Sequence, residues 1–401
     1  MTRRLACPVA AVLVLAAGAA SAQITETQLD QVAKRLAPQV IDWRRDFHQN
    51  PELGNRETRT AAAVAEHLKS LGLEVKTGVA HTGVVGVLKG GKPGPVIALR
   101  ADMDALPVKE QVDVPFKSTV TAEYRGEKVG VMHACGHDSH TAILMGTAQA
   151  LASMRNELPG TVMFIFQPAE EGAPEGEKGG APLMLEEGVF DIVKPEAVFG
   201  LHVFSTLNTG KIGYRSGPFM AAADRFRILV KGEQTHGSRP WSGIDPIVAS
   251  AQIVMGLQTL VSRQIDISAH PAVVSVGAIK GGIRNNIIPD QVEMIGTFRT
   301  FDPAVRQQII ERMTRTAEDI AHASGATAKV EVAGDNNPVV VNDPALTQRM
   351  LPTLERVAGA GRVAEMPYVM GAEDVAFYGQ KVPALDVFVG VTPTSPVRWF
   401  T

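Results

Sequence analysis

The sequence predicts an α/β fold interrupted by a smaller, inserted α+β domain. Apolar runs of strand length alternate with helical patterns over the first half of the chain. The rhythm then changes, between about residues 217 and 334, to β-α-β-β-α-β. The length, 401 residues, exceeds what one hydrophobic core usually serves. With 45% hydrophobic and 20% charged residues, the composition excludes a disordered chain, a collagen and a coiled coil. Lys plus Arg number 39 against 42 Asp plus Glu, a net charge of -3. No basic excess argues for nucleic acid, and at 5% aromatic the chain offers few stacking platforms for bases.

Residues 1–22, MTRRLACPVAAVLVLAAGAASA, read as an export signal. Arg3 and Arg4 form its charged start, residues 8–19 its apolar run, and Ala20-Ser21-Ala22 a small-residue cleavage site. The run falls short of the roughly 20 apolar residues that span a bilayer. The expectation is a mature chain from about Gln23, periplasmic or secreted, with no membrane association after cleavage. Cys7 leaves with the signal, so Cys135 remains without a disulfide partner in the chain. That thiol is either buried and inert or a ligand.

The elements follow in order. Residues 28–71 carry a helical pattern broken by the polar HQNPELGN at 48–55. Strands are expected at 84–89 and 96–100, and a helix at 141–154. TVMFIFQ, 161–167, follows Pro159-Gly160 and reads as a buried strand; 198–203 reads as another. This alternation implies a largely parallel sheet. In the insertion, strands are expected at 225–231, 273–280, 291–300 and 328–332, and helices at 246–264 and 303–324. The second helix opens with Pro303 and stops at Gly325. The first domain therefore spans 23–216 and 335–401, around an insertion at 217–334.

Chemistry concentrates in four clusters. MHACGHDSH, 132–140, holds His133, Cys135, His137, Asp138 and His140. It is either a polar turn capping the next helix, with Asp138 or Ser139 as N-cap, or a metal site approached from an extended turn at Gly136. A thiolate with an imidazole suits zinc, cobalt, nickel or iron better than magnesium or calcium. QPAEEG, 167–172, puts Glu170 and Glu171 just after a buried strand, where adjacent side chains diverge. One could bind metal while the other faces the attacking water. A solvated acidic turn is the plainer reading, but the carboxyl ends of strands are where open α/β sheets carry their sites. His202 of Gly200-Leu201-His202 is a candidate terminal ligand or a structural histidine. Asp102 and Asp104 of RADMDALP, 100–107, are ligands, orienters of a ligand histidine, or turn residues.

These motifs resemble a known family. ALRADMDALP, MHACGHDSHTA, FQPAEEG, GLHV, GGIRNNIIPD, GTFRTFD and MGAEDVAFY occur in the order seen in the hippurate hydrolase and auxin-conjugate amidohydrolase branch of the aminoacylase/carboxypeptidase metallopeptidase superfamily. The resemblance runs from about Val40 to Gly390. It implies a zinc-peptidase-like catalytic domain with an inserted ferredoxin-like lid or dimerisation domain, two divalent metals (zinc, manganese, cobalt or nickel) and a homodimer. By resemblance, Cys135, His137, Glu171 and His202 are metal ligands, Glu170 the general base and acid, and Asp104 the aspartate behind a ligand. His236 resembles the lid histidine that polarises the scissile carbonyl, often in a neighbouring subunit. Asn286 and Arg299 resemble residues that hold the amide and carboxylate of the substrate. The implied reaction is hydrolysis of a small N-acyl amino acid.

The resemblance also expects a fifth ligand histidine near the C-terminus, in a His-Ser-Pro context. Here the sequence reads GVTPTSPVRWFT, and no histidine follows His322. The expectation is a shortened or altered C-terminus and one metal held less tightly. Two alternatives stay open from the residues: a relative that binds metal and acyl amino acid without turnover, and a cysteine hydrolase built on Cys135.

Overall fold

The computed structural model describes residues 24–334 and 337–394. The export-signal reading at 1–22, and residues 395–401 of the C-terminal departure, lie outside them.

The chain opens with α1 (Glu26–Gln49), α2 (Thr58–Ser70), β1 (Glu74–Val79), β2 (Gly83–Lys89) and β3 (Lys92–Asp102). A hairpin of β4 (Thr121–Tyr124) and β5 (Glu127–Gly130) precedes α3 (His137–Ser153), β6 (Pro159–Gln167), α4 (Gly180–Glu186), α5 (Val189–Ile192), β7 (Ala197–Asn208), β8 (Ile212–Tyr214) and β9 (Gly217–Met220). Next come β10 (Ala222–Lys231), β11 (Thr235–His236), α6 (Pro246–Thr259), β12 (Val273–Gly281), β13 (Ile287–Ile288), β14 (Gln291–Thr300), α7 (Pro303–Ala323) and β15 (Thr327–Val332). The last elements are β16 (Val340–Asn342), α8 (Pro344–Ala358), β17 (Val363–Glu365), α9 (Val375–Gly379) and β18 (Ala384–Thr392).

The main sheet has the order β1-β2-β6-β3-β7-β18-β8-β17. Its centre, β6-β3-β7-β18, is parallel, whereas β1, β2 and β8 pair antiparallel with their inner neighbours. The sheet is therefore mixed rather than largely parallel. The short links β1–β2 and β7–β8 leave no room for the crossover helix that a parallel pair needs. The reading of TVMFIFQ holds, for a visible reason. Val162, Phe164 and Phe166 join the core under α1, α2 and α3, while Met163 and Ile165 join the core with Met184 and Tyr378 on the other side. Burial on both faces is why the strand reads as an unbroken apolar run.

The inserted segment forms its own sheet, β12-β14-β10-β15, all neighbours antiparallel. The core of this sheet takes Ile253 and Leu257 from α6 and Val305, Ile309, Met313, Ala317 and Ala321 from α7. Asp302 caps α7 through the amides of Ala304 and Val305, with Pro303 behind it. The helix ends before Gly325, which has φ +76°, as its start and stop residues imply. In α6, Asp245 caps and Pro246 follows. The helix gives way at Leu260–Gln264 to a wider turn that its apolar periodicity conceals.

Candidate active site

The residues of the four clusters meet where β3 and β6 end and α3 begins, beside His202 within β7. MHACGHDSH turns into α3 at His137, and the cap is Gly136 at φ +99° rather than Asp138 or Ser139. A Cβ at Gly136 would lie 2.4 Å from Val203 Cγ2, so the close approach to β7 also requires glycine there. Asp138 turns away and binds His48 Nδ1 at 2.8 Å.

Cys135 Sγ lies 3.3 Å from His202 Nε2. The ligand atoms of Cys135, His137 and His202 all fall within 4.8 Å of one another, as do those of His137, Glu170 and Glu171. The two carboxylates do not diverge from a strand end. β6 stops at Gln167, Pro168-Ala169 turns the chain with Ala169 at φ +50°, and both glutamates approach one imidazole. Glu170 Oε2 and Glu171 Oε1 are each 3.9 Å from His137 Nε2.

Asp104 sits behind this group. Its carboxylate accepts the Glu170 amide at 3.0 Å and the Glu171 amide at 2.9 Å, and lies 3.3 Å from His137 Nδ1. Asp102 takes a different role. Its Oδ1 binds His140 Nδ1 at 2.6 Å, and His140 Nε2 accepts the Val203 amide at 2.9 Å. Both nitrogens of His140 are thereby used, so Asp102 and His140 support the site and are not free to bind an ion.

The electrostatics are those of a site built for cations. Burial would lower the His137 imidazole, but Asp102 and Asp104 outweigh it and hold the group well above its ordinary value. Burial, then the charge of Glu373, pushes the Glu170 carboxyl well above its usual range. Burial raises Glu171 as well, and lowers His202 to about 4. Burial also raises the Cys135 thiol, the opposite of what a nucleophilic cysteine needs. That direction does not favour the cysteine-hydrolase alternative.

These residues fit a divalent metal. The ring nitrogens of His137 are buried without a well-formed hydrogen bond, Nδ1 facing Asp104 only as an ion pair at 3.3 Å, which is costly unless something else is bound there. A thiolate, two imidazoles and a carboxylate form a donor set that suits zinc and its neighbours.

Two groups escaped the sequence reading. Arg100, buried at the end of β3, contacts Asp102 at 2.7 Å, Glu373 at 2.9 Å and Gln167 at 2.9 Å. Gln167 passes the connection to Asp374 at 2.9 Å, and the Asp374 amide donates to Glu170 Oε1 at 3.3 Å. The Glu373-Asp374 pair lay within MGAEDVAFY but had no assigned role. Glu57 is fully buried near the same turn. Its only signal was an acidic residue at a helix start, which ordinarily reads as a cap.

The insertion contributes a second group. Pairing of β11 with β13 brings His236 beside Ile287, and the Gly237 amide donates to the Asn286 carbonyl at 2.8 Å. His236 is exposed, with Nδ1 accepting the Ser238 amide at 3.1 Å. Asn286 Oδ1 is buried without a partner. Arg299 lies on β14 opposite Ala223 and Val273, half-buried. No polar contact among the described residues joins these three to the Cys135–His202 group.

This fold and this site define a metal-dependent amidohydrolase, with a catalytic domain and an inserted lid. The model of peptidase family M20/M25/M40 matches residues 98–397, and the chain belongs to that family. It is 43% identical over 364 residues to thermostable carboxypeptidase 2 of Saccharolobus solfataricus, covering 90% of this chain and 88% of that protein. It is 42% identical over 362 residues to N-acetylcysteine deacetylase of Bacillus subtilis, covering 90% of each. A solved structure from Bacillus subtilis, described as a dinuclear metal binding peptidase from the M20 family, superposes with a TM-score of 0.75 at 39% identity. That match covers 92% of both chains.

Proposed function

We propose that the protein hydrolyses the amide bond of small N-acyl amino acids, with Glu170 as general base and acid and two divalent metals held by Cys135, His137, Glu171 and His202. One observation carries the reading: Asp104 holds the successive amides of Glu170 and Glu171, so that both carboxylates face His137. Divalent metals, when bound, polarise the substrate carbonyl and lower the pKa of a water. Glu170 takes the proton of the attacking water and returns it to the leaving amine. Its raised affinity for a proton suits both halves of that exchange. His236 and Asn286 stabilise the oxyanion, and Arg299 can fork onto a carboxylate.

A homodimer belongs to the proposal. His236 presents an exposed ring on the insertion, able to serve a neighbouring subunit, and the same segment exposes Met255 at 70% and Ile283 at 99%. The export signal read at 1–22 supports a reaction outside the cytoplasm as part of the proposal. The test is metal analysis coupled to a hydrolysis screen over N-acetyl, N-benzoyl and N-indolyl-acyl amino acids. Chelation should abolish turnover, and zinc, cobalt, manganese or nickel should restore it. Turnover that survives exhaustive chelation would overturn the proposal.

A further inference from the structure

We propose that Glu57 is a positioning residue for the general base: with Asp104 it holds three successive backbone amides, those of Ala169, Glu170 and Glu171, and so sets where the Glu170 carboxylate sits. The inference rests on Glu170 being that base.

The geometry is specific. Glu57 Oε1 accepts the Ala169 amide at 2.8 Å, and Asp104 accepts the next two at 3.0 and 2.9 Å. Two carboxyl groups from separate segments thus hold three consecutive amides of one turn. Ala169 makes the turn possible by adopting φ +50°, a conformation that residues with a Cβ rarely take and that must be held by its surroundings. Ala169 is 2% exposed, so water cannot easily replace a lost partner for its amide.

Glu57 is free for this duty because another residue does its local work. It stands at the N-cap of α2 but makes no side-chain cap there. Glu52 takes the first-turn amides instead, accepting Arg59 at 2.9 Å and Thr60 at 2.8 Å. The Glu57 side chain turns inward, and Thr82 Oγ1 donates to its second oxygen at 2.5 Å. A side chain that only filled space would be apolar, because a fully buried carboxyl is disfavoured by desolvation. Burial, then the neighbouring Asp104, raises this carboxyl to about 7. The protonated acid can still accept at Oε1 and donate from Oε2 to Thr82, so the hold survives protonation.

The reach of the side chain, rather than its charge, is therefore the property that matters, and two variants separate them. Glu57→Gln keeps the reach and loses the charge; Glu57→Asp keeps the charge and loses one methylene. Each is assayed, with the metals bound, for kcat, KM and metal content. Hydrogen exchange at residues 169–171 is followed by mass spectrometry. Glu57→Asp should lower kcat by about 10- to 100-fold, the scale of a misplaced catalytic group. KM and metal content should stay near wild type, and exchange protection at 169–171 should fall. Glu57→Gln should match wild type in all four. Thr82→Val, which leaves Glu57 in place but unsteadied, should show a smaller loss of kcat and protection and serves if the aspartate variant does not fold. The inference is overturned if glutamine is as damaging as aspartate, if aspartate keeps both kcat and protection, or if kcat falls only in step with metal content. A fully active Glu170→Gln enzyme would sink the base assignment instead, while the exchange data would still judge the hold on the turn.

Discussion

His140 Nδ1 lies 2.6 Å from Asp102 Oδ1, while the opposite nitrogen of the same ring accepts the Val203 amide at 2.9 Å. Because Nε2 accepts, the proton must sit on Nδ1 and be donated to Asp102. One imidazole on α3 thus ties the end of β3 to the segment of β7 beside His202. Asp102 also carries the buried Arg100 at 2.7 Å. Burial would raise this carboxyl, but His137, His140 and Arg100 hold it well below the usual range.

Replacing Asp102 by alanine should therefore be felt as stability. It takes one of two carboxylates from the buried Arg100, which keeps Glu373, and strands the His140 imidazole donor, a change of up to about 3–5 kcal/mol, the scale of breaking a buried pair. Urea unfolding of the metal-free protein measures it. A loss under about 1 kcal/mol, the scale of an exposed pair, would show that the network is not holding the strand ends.

The two adjacent glutamates should separate by role. Glu170→Gln should cut kcat by at least about 100-fold, the scale of a lost general base, with metal content near wild type. Glu171→Gln should lower metal content first and activity as a consequence. Elemental analysis beside kinetics distinguishes them, and equal loss of metal in both variants would refute the division.

The lid histidine should act on turnover alone. His236→Ala should lower kcat by about 100- to 1,000-fold, as for a lost oxyanion donor, with metal content unchanged. Mixed with Glu170→Gln protein, it should regain part of the activity if the ring serves a neighbouring subunit. No recovery in a proven mixed dimer would confine His236 to its own chain.

The pH dependence of stability should carry the signature of Glu57. Its carboxyl is raised from 4.5 to about 7 in the folded protein. Stability from the protonated group is fully present below about pH 4.5 and lost as pH rises through about 7, at up to about 1.4 kcal/mol per unit of difference. Glu57→Gln lacks that loss. The glutamine variant should thus gain on wild type between pH 5 and pH 8, read as a growing difference in urea midpoint. A constant difference across that range would mean that Glu57 is ionised throughout.

Much of this architecture was legible in the chain. TVMFIFQ announced a buried strand, and Pro303 and Gly325 bracketed α7, because start and stop residues and apolar runs are local signals. Cys135 and His137 stood out as residues, but Glu171 and His202 joined them only through the resemblance of the ordered motifs; the structure brings the ligand atoms of Cys135, His137 and His202 within 4.8 Å of one another. The turn at Ala169 could not be read, since nothing about an alanine announces φ +50°. Nor could Glu57, whose partner is 112 positions away in sequence. The mixed sheet escaped for the same reason: the place of β18 between β7 and β8 depends on contacts that no local pattern encodes.

That place of β18 has a temporal consequence. Residues Ala384–Thr392 pair along β7 beside His202, nearly two hundred positions earlier, with Phe388 directly opposite the histidine. During synthesis the insertion, with its local antiparallel sheet and its own core, can close while β18 has yet to emerge. The sheet that carries the site cannot, and β7 waits with one edge open until β18 reaches it. The sheet around the site is therefore complete only once β18 has paired, and until then the strand bearing His202 has an unpaired edge.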